Sequence, residues 1–446
     1  MTNTFTELTS IFVNLAWGPW LVIFLVGSGI FFTIYSGFVP IKNFARGFFL
    51  LRDGSPGGSG NISRYQALAT SLSGTIGLGN IAGVALAIKL AGPGAIFWMW
   101  VTAIVGMGTK FFTCSLSVMY REQNDKGEFL SGPLYVIKNA MPKQFIFLAY
   151  FFAFFGMIGA LPALQSNQIV QIFREILYPH SNFSSEFQFN LVAGLTLATL
   201  AGFVILGGLK RIANFSSWLV PFMGGLYIFC ALLAAVTNFS MLGDIFALIV
   251  SDAFTGKAVA GGSFMGVLIY GIQRGAYSNE AGIGTEAMVH GSAKTNSPID
   301  QGMIAMLGPI FDTLIVCTAT AVIILLSGVW IDTDLVGVGL TARAFEELLG
   351  PFGLWCVFIC ALSFGISTIF TYSYYGSACS RFIFGDRFQK TYRWILIFCV
   401  VIFSVASLEA TINIIDGSFA MMAIPTLISS IYLAPKIKAA YKNLKS

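Results

Sequence analysis

Charge is what this 446-residue chain has least of: only 10% of its residues are Asp, Glu, Lys or Arg. Soluble domains carry about a quarter, so a soluble globular or nucleic-acid-binding protein is excluded. Histidine is scarcer still. His180 and His290 are the only two, and both are expected in loops, which argues against a histidine proton relay. No catalytic grouping of His, Ser and carboxylate, and no metal-ligand set, falls at one membrane depth, so an enzyme is not expected. The cysteines Cys114, Cys230, Cys317, Cys356, Cys360, Cys379 and Cys399 all lie inside apolar runs. They read as reduced packing residues. Met1–Trp17 holds no Lys or Arg and so lacks the basic start of a cleavable signal peptide.

What is abundant is apolar sequence, at 56% hydrophobic residues and a mean hydropathy of +0.79. Taking runs of about 20 residues as bilayer spans, we count eleven: 16–37, 65–90, 95–119, 144–170, 189–208, 214–237, 262–289, 303–328, 352–380, 394–409 and 411–433. This describes an all-α integral protein of the cell membrane. Two further stretches read as helices on the membrane surface. In Phe38–Arg52 the apolar Ile41, Phe44, Phe48 and Leu51 share one face and Lys42 and Arg46 another. Met241–Phe254 is the second and is expected on the outer surface. Gly54–Gly60 reads as a flexible turn into span two.

Basic residues are placed by topology. Alternate loops and the tail hold 19 Lys and Arg, the opposite loops only Lys89, Arg174, Lys257 and Arg343, and Lys110 and Arg274 lie inside spans. The positive-inside rule puts the N-terminus outside and the C-terminus in the cytoplasm.

Two spans carry glycine clusters. In Ser71-Leu72-Ser73-Gly74-Thr75-Ile76-Gly77-Leu78-Gly79-Asn80 three glycines fall within six residues of span two, and each lowers helix stability by about 1 kcal/mol. Span seven repeats the pattern in Tyr270-Gly271-Ile272-Gln273-Arg274-Gly275-Ala276-Tyr277-Ser278-Asn279-Glu280-Ala281-Gly282-Ile283-Gly284. Spans two to six and seven to eleven form two five-span blocks of opposite orientation, each opening with its interrupted helix. The expected organisation is an N-terminal span and surface helix (1–64), a first repeat (65–238), an outer linker helix (239–261), an inverted second repeat (262–434) and a basic tail (435–446). Matching interruptions in inverted halves point to a transporter site at the bilayer midplane. The alternative is that both clusters are close-packing faces.

A zwitterionic amino acid would suit such a site. Its carboxylate fits the free N–H groups and positive dipole end at Gly77, Gly79 and neighbouring residues, with Asn80 and Thr75 as side-chain donors. Its ammonium fits the carbonyls near Tyr270–Ile272, where Gly271 and Gly275 would open the backbone. Asn80 as a helix cap and Thr75 as backbone satisfaction are the competing roles. Gln165 and Asn167 form part of a polar run in span four, readable as substrate contacts or as helix-to-helix hydrogen bonds, which average about 0.6 kcal/mol in membranes. Ionisable residues inside spans need partners. Glu280 is expected in the first turn of the inner half of span seven with Ser278 as cap. Lys110 is expected to pair with it or to snorkel. Asp312 and Arg274 are further coupling or gating candidates.

Several stretches resemble one family. Ala91-Gly92-Pro93-Gly94-Ala95-Ile96-Phe97-Trp98-Met99-Trp100, Gly79-Asn80-Ile81-Ala82-Gly83-Val84, Ser278-Asn279-Glu280-Ala281-Gly282, Gly308-Pro309 with Asp312-Thr313, and Ser373-Tyr374-Tyr375-Gly376 are similar to the alanine or glycine:cation symporters. The resemblance implies a leucine-transporter-like fold with one extra helix in front, and import of alanine, glycine or similar small neutral amino acids driven by sodium, with no organic cofactor. It also implies a sodium site from the carbonyls of Ser73, Ile76 and Phe364 with the hydroxyls of Ser367 and Thr368, and a substrate contact for Gln165. Ala91 stands where the family usually has Gly. Tyr372 stands where Trp is usual, which implies a roomier, more polar pocket that also takes serine. Proton coupling with another small solute is the nearest alternative. A channel is a further one, but no ring of like charge marks a pore.

Overall fold

With no water in hydrocarbon to take up backbone polar groups, a spanning chain closes them within helices, and this chain does so almost throughout. The computed structural model describes residues 2–52, 58–256, 263–331, 333–406 and 409–445. Among these, nine helical segments are long and apolar enough to cross a membrane, and a tenth appears if the bent pair Arg64–Thr75 and Gly79–Ala91 is one span. The eleventh expected span, span seven, is two shorter helices, Phe264–Asn279 and Thr285–His290. Among the described residues there is one strand pair, Glu122–Gln123 with Phe129–Leu130, in a basic loop.

Several boundaries differ from expectation. Span one begins at Pro19, and an additional helix, Thr2–Ala16, precedes it and packs on Glu409–Met421. Pro19 takes the first helical position, where a missing N–H costs nothing. Span nine is preceded by a helix from Gly337 that turns at Gly350 (φ 63°) before Pro351. The Phe38–Arg52 segment is two short helices, Val39–Lys42 and Phe44–Arg52. The helix expected on the outer surface is present as Leu242–Thr255, with its Asp252 buried and accepting the Gly94 N–H at 2.9 Å. Residues 54–57 of the expected glycine turn lie outside the described residues. Gly58 and Gly60 are tightly packed: a Cβ on either would meet the backbone of Thr295 or Ala293 within 2.6 Å. The cysteines are free, as their placement implies.

The basic-loop end is drawn together around Arg121. Its guanidinium donates to the carbonyls of Gly291 (3.0 Å), Ala293 (2.8 Å), Ser59 (2.8 Å) and Thr295 (3.0 Å). It also lies 4.3 Å over the Phe129 ring. Burial lowers its pKa from the usual arginine value. Asn61 exchanges two hydrogen bonds of 2.9 Å with the Phe129 backbone, and Ile62 pairs with Ala293 as a parallel bridge. The start of span two and the segment that follows span seven are thereby joined.

Candidate transport site

Span two starts on a reciprocal cap: Ser63 Oγ accepts the Gln66 N–H at 3.1 Å, and Gln66 Oε1 accepts the Ser63 N–H at 2.9 Å. The helix ends at Ile76, whose ψ is 83°, and resumes as a widened π-helical turn over Gly79–Gly83. The two halves meet at 50°. Asn80 both caps and bridges. Its Oδ1 accepts the Gly77 N–H at 3.1 Å, and its Nδ2 donates to Asp312 Oδ1 at 2.5 Å. Thr75 is buried, and its hydroxyl has no partner among the described residues.

The break in span seven is not where the first glycines fall. Helix Phe264–Asn279 runs unbroken through Tyr270–Ile272, so those carbonyls belong to a continuous helix and are not exposed at a helix end. Gly271 and Gly275 instead let span three come close: an added Cβ would lie 2.5 Å from the Ala95 carbonyl oxygen and 2.0 Å from Thr102 Oγ1, respectively. The chain turns later, through left-handed Glu280 (φ 55°), Gly282 (φ 95°) and Gly284 (φ 96°). Glu280 therefore ends the outer half and does not open the inner one. Ser278 caps nothing; it donates to Asp312 Oδ2 at 2.8 Å. Glu280 accepts from Tyr372 Oη at 2.9 Å and from Thr285 Oγ1 at 2.5 Å.

Asp312, fully buried in the π-helical stretch Ile310–Cys317, joins these parts. Three donors converge on its carboxylate, from Asn80, Ser278 and Thr313. Spans two, seven and eight thus meet on one carboxyl group.

On the other side of the span-two break lies a knot of oxygens. Ser367 Oγ is 3.2 Å from the Ser73 carbonyl and 2.9 Å from that of Phe364, and Thr368 Oγ1 is 3.3 Å and 3.0 Å from the same two. Both hydroxyls therefore bond their own helix and reach across to span two. A Cβ on Gly77 would sit 2.5 Å from Thr368 Oγ1, so glycine is what permits the approach.

Beside the span-seven break is a narrow pocket lined by Gln165, Tyr277, Tyr372, Asp416 and Phe419 among others. Tyr372 stacks on Phe419 with ring centroids 5.7 Å apart, and its hydroxyl donates to Glu280, so the ring forms a wall. Gly79 borders the pocket through the Tyr277 ring, 3.6 Å from where its Cβ would be. Over the pocket, Tyr277 Oη donates to Asp416 Oδ1 at 3.3 Å, and the Trp17 indole N–H donates to the Asp416 carbonyl at 3.2 Å. Arg274 lies beside this layer, with its guanidinium 5.0 Å from the Tyr270 ring centroid and donating to Tyr270 Oη at 3.0 Å. Asn167 is half-buried outside the pocket, beside the Gln168 amide.

Lys110 neither snorkels nor forms a hydrogen bond: it is 1% exposed and its Nζ has no partner among the described residues. His290 is not in a loop but ends the buried helix Thr285–His290. Sequence reasoning missed Glu286 and Asp416. Both are carboxylates inside expected spans, and the rule that singled out Glu280 and Asp312 applies to them equally.

A match to the sodium:alanine symporter family extends over residues 2–446. The chain belongs to that family. It is 37% identical over 442 residues to the sodium/alanine symporter AgcS of Methanococcus maripaludis, covering 96% of this chain and 95% of the relative. It is 34% identical to the amino-acid carrier protein AlsT of Bacillus subtilis (100% and 92% covered) and 32% identical to the probable sodium/glutamine symporter GlnT of that organism (96% and 88%). Among solved structures it is similar to MhsT in complex with L-phenylalanine, with a TM-score of 0.59 over 84% of this chain and 90% of the other, at 15% identity. That likeness carries the fold alone. This family member is a multi-pass membrane transporter and not an enzyme.

Proposed function

We propose that this transporter imports small neutral amino acids, alanine and glycine with serine also accepted, together with sodium, by alternating access between inverted five-span halves. The observation that carries the reading is the oxygen knot of Ser73, Phe364, Ser367 and Thr368 beside the span-two break, one helical turn from a pocket walled by Tyr372. Sodium prefers several uncharged oxygens, and the Ile76 carbonyl, where the helix ends, would complete the set. The substrate would lie between Thr75, the backbone at Gly77 and Gly79, Gln165 and Tyr372. The unpartnered Thr75 hydroxyl is open to a carboxylate. Asn80 acts by holding the break to Asp312, which with Glu280 couples the two interrupted helices. Arg274 and Asp416, with Tyr277 between them, are the outer gate. The N-terminus would lie outside, a reading supported by the basic loops.

The test is labelled alanine uptake into proteoliposomes with and without an inward sodium gradient. One sodium moving through 100 mV supplies about 2.3 kcal/mol, enough for roughly 50-fold accumulation. Ser367→Ala with Thr368→Ala should raise the sodium concentration for half-maximal uptake while the protein still purifies folded. Uptake that ignores sodium ends the reading, and a double variant with wild-type sodium dependence moves the ion elsewhere.

A further inference from the structure

The helix Thr2–Ala16 precedes span one, yet it is closely fitted to the rest of the chain. It lies along Glu409–Met421, where Gly417 admits it: a Cβ there would sit 2.4 Å from the Phe12 ring. The chain then reaches Trp17, buried at the corner before Pro19. Trp17 holds two other helices at once. Its indole N–H donates to the Asp416 carbonyl at 3.2 Å, and its own carbonyl accepts from the Gln273 side-chain amide. Its ring lies 6.0 Å from that of Tyr277, tilted by 59°. Gln273 and Tyr277 are four residues apart on one helix and so share a face, and Trp17 meets both.

These contacts bear on how the pocket is closed. Tyr277 reaches Asp416 through its hydroxyl at 3.3 Å, and its ring lies 5.8 Å from that of Phe419. That single long hydrogen bond is a weak fastening between Phe264–Asn279 and Glu409–Met421, since a net hydrogen bond is worth at most about tenfold in an equilibrium. Trp17 adds two more to the same pair of helices without itself lining the pocket. Filling space is the competing role, because a buried indole N–H usually finds some partner. What sets Trp17 apart is that its two partners sit on two helices that both line the pocket.

We propose that Trp17 is a positioning residue of the outer gate. Anchored by the helix Thr2–Ala16, it straps the outer half of span seven to span eleven, and the pocket opens on that side when Trp17 lets go of Asp416 or Gln273. The inference rests on the reading of Arg274, Tyr277 and Asp416 as that gate, and adds the part outside the pocket that holds it shut.

Ile415 lines the pocket and is buried, so Ile415→Cys reports opening through its rate of reaction with a charged, membrane-impermeant thiol reagent. The parent chain, with its seven native cysteines, gives the background. Added outside right-side-out vesicles, the reagent should react up to about tenfold faster when Trp17→Phe is also present, the worth of one hydrogen bond. Gln273→Leu leaves Trp17 in place and removes the donor to its carbonyl. It should act in the same direction, and it carries the test if Trp17→Phe does not fold. Uptake should split accordingly. The outside alanine concentration for half-maximal uptake falls, because more of the protein faces out, and maximal uptake falls too, because closure is slower. A labelling rate unmoved by both variants overturns the proposal, even where the melting temperature drops, since that is what a space-filling role predicts. Acceleration seen only with reagent inside supports the strap and overturns the orientation given above. Faster labelling in a protein that carries no alanine also supports the strap, and sinks the choice of substrate instead.

Discussion

Between Arg64 and Ala91 span two leaves and re-enters its helix without one residue of positive φ, whereas span seven turns through three left-handed residues, Glu280, Gly282 and Gly284. Span two has its glycines at the break, yet uses them for closeness: Gly74 lies under Thr371 and Tyr375, and Gly77 under Thr368. Span seven divides the tasks by position. Its first glycines admit span three, and its last ones turn the chain. A glycine cluster in a membrane helix therefore marks an approach of neighbours as readily as a bend. In span seven it is the ones that must adopt φ above zero that locate the bend.

This contrast is most sharply broken at Gly284. An alanine there would need φ near 96° and would place its Cβ 2.4 Å from Thr426 Oγ1 and 2.6 Å from Pro133. Gly284→Ala should abolish folded, active protein by size-exclusion profile and uptake. Gly83→Ala at the span-two break meets nothing within 4 Å at helical φ and should melt at or above the wild-type temperature. Equal damage from the two would erase the distinction.

Gly275 tests the packing half of the comparison. Gly275→Ala should cost about 1–3 kcal/mol through overpacking, seen as a lowered melting temperature. Thr102→Ala should return part of it, because Thr102 Oγ1 is the nearest obstruction and otherwise bonds only its own helix at Met99. A melting temperature unchanged by Gly275→Ala would mean that the span-three contact is loose.

The finest effect belongs to Tyr372, which reaches the span-seven break through Glu280 while walling the pocket. Tyr372→Trp removes the hydroxyl and widens the apolar wall. The preference for serine over alanine, read by competition for labelled alanine uptake, should fall by tens-fold at most, since such pocket changes amount to about 1–3 kcal/mol. An unchanged preference would take Tyr372 out of the pocket.

The all-helical class and the span positions were legible because hydrocarbon leaves one signal, the length of apolar runs. Span two's break was legible too, because its polar and glycine residues coincide with it. Span seven's was misplaced by several residues, since Gly271 and Gly275 give the same composition signal as a bend while serving helix contact. The helices Thr2–Ala16 and Gly337–Leu349 were missed, being only half-apolar and shaped by what they lie against. Among candidate site residues, Ser367 and Thr368 were singled out through the family pattern, and the structure brings both beside the Ser73 and Phe364 carbonyls. The partners of Asp312 depend on how three distant helices come together, which no local spacing records.

The latch at Arg121 has a consequence for how the basic-loop end can change. All four of its strongest acceptors are main-chain carbonyls, contributed by Ser59, Gly291, Ala293 and Thr295. Side-chain substitution cannot delete a carbonyl, so the latch has one vulnerable member and four that mutation leaves in place. One rigid, planar guanidinium holds these four ties, while the Ile62–Ala293 bridge joins the start of span two to the segment after span seven through the backbone alone. That end is thus held in two layers, four ties that share one side chain and a backbone bridge that needs none.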